Sequence, residues 1–243
     1  MALDLNEIIV PYKEFYGRNT EQMPLLIAES RVPISVAGVM ERRLNSDKSD
    51  WKDNYFFTGD AIVYHPDKKF KIVRDAQLLR DINSESNLEN GAIILEDGLY
   101  ETLEGEEFLY GDVKKLLEKD LSQKHVLQHS IWKSDSRDSS LLEAYVPKMF
   151  AEMKQRWNYK ENMGVYLDSS SNAPKLRALV VDELGGGSWL YVGYGLDVDD
   201  GRLVGVEPEA LNAHGKVFIK PSLETALSIV NEHLGKGKIL RLQ

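Results

Sequence analysis

The chain has 243 residues, of which 42% are apolar and 28% charged, and its net charge is −9 at pH 7. This is ordinary globular usage, long enough to bury a large core, and it excludes a disordered polar chain. The absence of cysteine excludes disulfides, thiolate nucleophiles, iron–sulfur clusters and cysteine-held zinc, and the acidic balance argues against broad contact with nucleic acid.

Met1 to Val10 carries Asp4 and Glu7 and lacks the cationic start and apolar core of a signal peptide. No apolar run reaches the roughly 20 residues needed to span a bilayer. The expectation is a cytoplasmic protein with no membrane contact.

Leu5, Ile8, Ile9, Tyr12, Phe15 and Tyr16 fall at helical spacing and predict a helix interrupted at Pro11. Between Pro33 and Leu44 the stripe Val36, Val39, Met40 and Leu44 predicts a short amphipathic helix, with Glu41, Arg42 and Arg43 on its wet face. Asn45 to Asn54 is polar, without periodicity, and reads as an exposed connection. Tyr55 to Tyr64 and Phe70 to Val73 are strand-like around the turn residues His65-Pro66-Asp67-Lys68, which predicts a hairpin. A short helix at Asp75 to Ile82, a loop, and a buried strand at Ala92 to Leu95 follow.

Gly111-Asp112 opens a predicted helix with the stripe Val113, Leu116, Leu117 and Leu121. The strongest helical pattern joins Leu141, Leu142, Tyr145, Val146, Met149, Phe150, Met153 and Trp157, with a bend expected at Pro147. Met163 to Leu167, Arg177 to Glu183, Trp189 to Leu196 and Arg202 to Val206 are strand-like, separated by glycine and Asp-Gly turn signals. The tail reads as strand Lys216 to Lys220, a Ser222-capped helix, and strand Lys238 to Leu242.

The fold class is therefore α+β (mixed α/β): an antiparallel strand meander in the C-terminal half, a C-terminal β-α-β unit and several amphipathic helices. It is read as a single domain over residues 1–243, or two closely packed lobes with a soft boundary at 134–137.

Few clusters carry chemistry. His125 and His129 are four apart, a spacing that on a helix turns both imidazoles to one face where they could share a divalent metal. The pair lacks the intervening Glu of a zincin motif and also suits histidines packed on the core. Asp197, Asp199, Asp200 and Gly201 have the wrong spacing for a calcium loop and read as a hairpin corner. Gly185-Gly186-Gly187-Ser188 leads into a strand, not a helix, so a hairpin connection outweighs a phosphate cradle. Asp60, His65 and Asp67 surround one hairpin and could act as acid and base under a cleft; ordinary turn use is the simpler reading. Glu101, Glu104, Glu106 and Glu107 read as a hydrated helix end or loop. Lys216, Lys220, Lys236, Lys238 and Arg241 form a basic tail. Trp51, Tyr55, Trp132, Trp157, Trp189 and Tyr191 are numerous enough for a ligand or partner surface, although most such residues serve cores.

No nucleophile elbow, Walker motif or dinucleotide fingerprint is present. The leading reading is an intracellular, non-catalytic binding or assembly protein with a protein partner or a second copy of itself. The alternative is a metal-dependent hydrolase-type enzyme using His125 and His129. No cofactor is expected apart from a divalent metal at that pair.

Overall fold

The computed structural model describes residues 12–113, 120–167 and 172–207, which belong to a compact unit spanning Met1–Pro208. In chain order the first elements are β1 (Tyr12–Tyr16), α1 (Asn19–Ala28), β2 (Val32–Pro33), α2 (Val36–Asn45), α3 (Asp50–Asp53), β3 (Phe56–His65), β4 (Lys69–Val73), α4 (Gln77–Arg80), β5 (Leu88–Glu89) and β6 (Ala92–Ile94). They are followed by α5 (Leu99–Thr102), β7 (Glu106–Leu109), α6 (Tyr110–Val113), β8 (Asp120–Leu121), α7 (Gln123–Gln128), α8 (Ser130–Ser136) and α9 (Ser139–Trp157). The last are β9 (Asn162–Met163), β10 (Val165–Tyr166), β11 (Lys175–Val181), β12 (Leu190–Tyr191) and β13 (Arg202–Val206). The fold is α+β, as expected, and its pairing is mostly antiparallel.

The spine is β3, whose residues Phe56 to Tyr64 are all buried. Covered on both faces, it has no need of alternation and reads Phe-Phe-Thr-Gly-Asp-Ala-Ile-Val. It forms the predicted hairpin with β4, and on its other edge pairs antiparallel with β11 from Tyr64↔Lys175 to Phe56↔Val181. The main strand order is β1-β13-β3-β11-β12-β10, with parallel contacts only at β13/β3 and β10/β12 along this path. The antiparallel pairing expected of the C-terminal half holds for β11 and β12. Arg202–Val206 instead crosses to lie between β1 and β3. The predicted β-α-β tail lies outside the described residues.

Helices pack where their stripes predict. Ser35 caps α2 by accepting from the Gly38 N–H at 3.1 Å, and Asp138 caps α9 from Ser140 N–H at 2.8 Å. The predicted face of α9, including Leu142, Tyr145, Met149 and Met153, is buried, and the helix runs on through Pro147. α2, α7 and α8 all pack against α9.

Four expectations are corrected. Tyr12–Tyr16 is a strand, not part of a helix: Tyr12 and Phe15 face the core while β13 supplies the hydrogen bonds. Within the supposed exposed connection Trp51 is completely buried, its ring edge-on to Tyr12 at 5.1 Å and 5.2 Å from Phe56. Arg43 is not on a wet face but fully buried. Leu121 belongs to β8, paired with β9 through Asn162, rather than to the helix opened near Gly111. Among the described residues no helix is long and apolar enough to cross a membrane.

Candidate functional site

The site is organised from below by Arg43. Its Nε donates to the Trp51 carbonyl at 2.8 Å and its Nη2 to the carbonyls of Asn54 at 3.1 Å and Asp182 at 2.7 Å. Nη1 reaches Ser188 Oγ at 2.9 Å and the Tyr145 hydroxyl at 3.2 Å. A buried guanidinium is tolerated because oxygens surround its planar fork. The result ties α2 to the end of β11 and to the glycine loop beyond it.

That loop contains a 3₁₀ turn at Leu184–Gly186 and joins β11 to β12, with Val181 opposite Leu190, as the hairpin reading expected. Gly187 is in the left-handed region at φ 99°, and a Cβ there would lie 2.7 Å from Trp189 Nε1, so only glycine fits. Beside it lies a cleft of about 450 Å³ lined by Asp120, Asn158, Tyr159, Lys160, Asn162 and Trp189, among others. Asn158 in the lining also holds positive φ, as do the buried Met163 and Ser188, which follow the lining residues Asn162 and Gly187 in the chain.

Trp189 immediately precedes β12, whose second residue is Tyr191. From Tyr191 a row of rings crosses the surface. Tyr191 stacks on Tyr166 at 4.9 Å and meets Tyr194 edge-on at 4.8 Å, and Tyr194 stacks on Tyr55 at 5.3 Å with only 14° between planes. The Arg202 guanidinium lies 5.9 Å from the Tyr55 ring centre and 4.9 Å from that of Tyr16. The row thus draws on β10, β12, the loop after it, the approach to β3, β13 and β1. Its ends are open: Tyr166 is 41% and Tyr16 52% exposed, with Tyr191, Tyr194 and Tyr55 half-buried. Gly91 fixes the loop carrying Tyr194, since its carbonyl accepts from Leu196 N–H at 2.9 Å and a Cβ on it would strike Gly195.

The electrostatics are acidic. Burial, followed by the charge of Asp200, pushes the Tyr55 phenol well above its ordinary range. Tyr191 and Tyr194 are raised by burial and then by neighbours that include Asp182. Burial, followed by the hydrogen bond with Glu183, pushes the Asp182 carboxyl up to about 7.

The predicted site residues are dispersed. His125 is exposed on α7, but that helix ends at Gln128; His129 is 2% exposed and caps α8, its Nδ1 accepting from Ile131 N–H at 3.2 Å. Among the described residues no group of three or more His, Asp or Glu converges as a metal centre would. Asp60 is buried, accepting from Val36 N–H at 2.8 Å, Asp75 N–H at 2.9 Å and Arg137 at 2.7 Å. His65 packs on Tyr100 at 4.7 Å and lies 3.4 Å from the carboxylate of the exposed Asp67, so the structure brings these two together at the turn while Asp60 is buried with other partners. Glu106 and Glu107 sit in β7, where Glu107 accepts from the Tyr100 hydroxyl at 3.1 Å. Asp199 pairs with Arg18 at 2.6 Å, and the Asp200 carbonyl accepts from the Tyr55 hydroxyl. Because β13 does not pair with β12, Asp199-Asp200-Gly201 turns a crossover and not a hairpin. The basic tail lies outside the described residues. Of the six aromatics singled out in the sequence, Trp51 and Trp132 are core, Trp157 stacks on Tyr159, Trp189 lines the cleft, and Tyr55 and Tyr191 belong to the row. Tyr16, Tyr166 and Tyr194 join it through pairings that span most of the chain.

No known family matches the sequence, and no curated protein is detectably similar. A solved structure described as the accommodation of massive sequence variation in Nanoarchaeota by the C-type lectin fold superimposes with a TM-score of 0.63 at 18% identity. The match covers 84% of this chain and all of that one. The likeness shows a C-type lectin-like fold.

Proposed function

We propose that the protein is a non-catalytic binding protein whose contact face is the row Tyr166, Tyr191, Tyr194, Tyr55 and Tyr16, with the Trp189 cleft at one end. The observation that carries this reading is the row itself: five tyrosines in mutual or Arg202-bridged contact, open at both ends. Tyrosine supplies a large amphipathic contact area with few rotatable bonds, so little side-chain entropy is lost on binding. At the Trp189 cleft the exposed Asn158 adds a short polar group of the kind found in paratopes. The fold neighbour's description, sequence variation accommodated on a constant fold, also suits a scaffold that separates its core from its contact surface.

The test is a comparison of proteins captured by the immobilised wild-type chain and by a Tyr166→Ala/Tyr194→Ala variant. A partner held by the wild type and lost in the variant, yet retained by Lys133→Ala at a distant exposed position, is the expected result. Capture indifferent to both tyrosines, or substrate turnover by the pure protein that one polar-to-alanine change abolishes, would sink the reading.

A further inference from the structure

The charges around the row define what it can hold. Among the described residues, Asp182 acts on both Tyr191 and Tyr194, Glu183 and Asp200 act on Tyr194, the Asp200 carbonyl accepts from the Tyr55 hydroxyl, and Asp199 pairs with Arg18, on which Asp197 also acts. Asp197, Asp199 and Asp200 are exposed. The nearby cations are already engaged. Arg18 is paired with Asp199, Arg202 with Glu14 at 2.6 Å, and Arg177, largely buried, donates to the Asn90 carbonyl at 2.7 Å. Carboxylates therefore exceed guanidiniums along the face. The row also accepts a guanidinium from its own chain, since Arg202 lies over two of its rings. A ring face attracts a cation through its quadrupole, and planar guanidinium suits stacking better than ammonium.

Resting on the binding-face reading, we infer that the partner is a protein presenting an arginine-rich, cationic segment, whose guanidiniums stack on Tyr166, Tyr191 and Tyr194 while Asp197 and Asp200 supply the opposing charge. A nucleic acid would meet these carboxylates with like charge, and an acidic protein segment would as well.

The probe is a capped hexa-arginine peptide, with hexa-lysine and hexa-glutamine peptides as controls, titrated into the full chain at low and physiological salt. Hexa-arginine should bind more tightly than hexa-lysine, and its affinity should fall as salt rises. Asp197→Asn/Asp200→Asn should weaken it about fivefold or more. Tyr166→Ala/Tyr194→Ala should weaken it by a similar factor while leaving all carboxylates in place. Three outcomes would overturn the inference: hexa-glutamine binding as well as hexa-arginine, no binding of hexa-arginine at low salt, or binding that ignores the tyrosine variant and so reflects net charge alone. If partner capture still depends on Tyr166 and Tyr194 under any of these, the cationic partner falls and the binding face stands; if that dependence is also lost, both fall.

Discussion

Arg43 donates to the carbonyl of Asp182 at 2.7 Å, and with the same guanidinium it holds Ser188 at 2.9 Å. A helix residue near the N-terminal end of the chain thus fixes the loop that carries Trp189. Arg43→Met would leave the carbonyls of Trp51, Asn54 and Asp182 without this donor in a dry interior. Loss of about 3 kcal/mol or more is expected, read as a lower urea midpoint at constant slope. Arg43→Lys should recover only part of it, because an ammonium cannot span the same fork of oxygens.

Asp135 makes stability fall with rising pH. It is fully buried, neither carboxyl oxygen has a hydrogen-bond partner, and burial followed by the charge of nearby Asp60 pushes its carboxyl well above the ordinary range. The folded state therefore keeps a proton that the unfolded chain has released. Its contribution is intact below the unfolded value near 4 and is lost as pH rises through the folded one. Urea unfolding measured from acid to alkaline pH should show this decline, and Asp135→Asn should flatten it.

Asp182, up to about 7, adds a decline of the same sign across the interval from about 4 to about 7. Asp182→Asn should remove that portion while leaving the part due to Asp135. The two variants combined should be nearly additive in the same titration, since no hydrogen bond or ion pair described here joins the residues.

Stability and binding separate at Tyr166. Its ring is 41% exposed and stacks on Tyr191, so Tyr166→Ala should change unfolding free energy by about 0.5 kcal/mol or less. The same variant should lose the captured partner. Phe57→Ala makes the opposite control: a fully buried ring whose loss should cost about 3 to 5 kcal/mol.

His129→Ala removes the α8 cap and should cost about 1 kcal/mol, whereas His125→Ala, at an exposed site, should cost almost nothing. Elemental analysis of the purified chain separates this from the metal-assisted alternative. That reading predicts one zinc or manganese per chain, lost in His125→Ala/His129→Ala; the capping role predicts no such change.

What was legible in the sequence was local. The α9 stripe, the α2 stripe and the β3–β4 hairpin are decided by residues close in the chain, and each formed where the pattern placed it. The misread elements answer to distant partners. Tyr12, Phe15 and Tyr16 fit a helical stripe as well as a strand, and the decision rests with β13, whose register sets Tyr16 opposite Arg202. Arg43 looked solvated because oxygens from residues 51, 54, 145, 182 and 188 meet only after folding. For the candidate site, Tyr55, Trp189 and Tyr191 stood out by composition, but Tyr166 and Tyr194 gain their meaning only from stacking.

The seating of β13 between β1 and β3 has a consequence for synthesis on the ribosome. The first described strand waits with an unpaired edge until Arg202–Val206 emerges, some 185 residues after Tyr16. Until then the nascent chain exposes a sheet margin open to pairing with strangers, and Tyr16 and Tyr55 have no Arg202 between them. The contact face is thus one of the last parts of the unit to exist, and a translation product truncated before Arg202 would carry most of the core and only part of the binding surface.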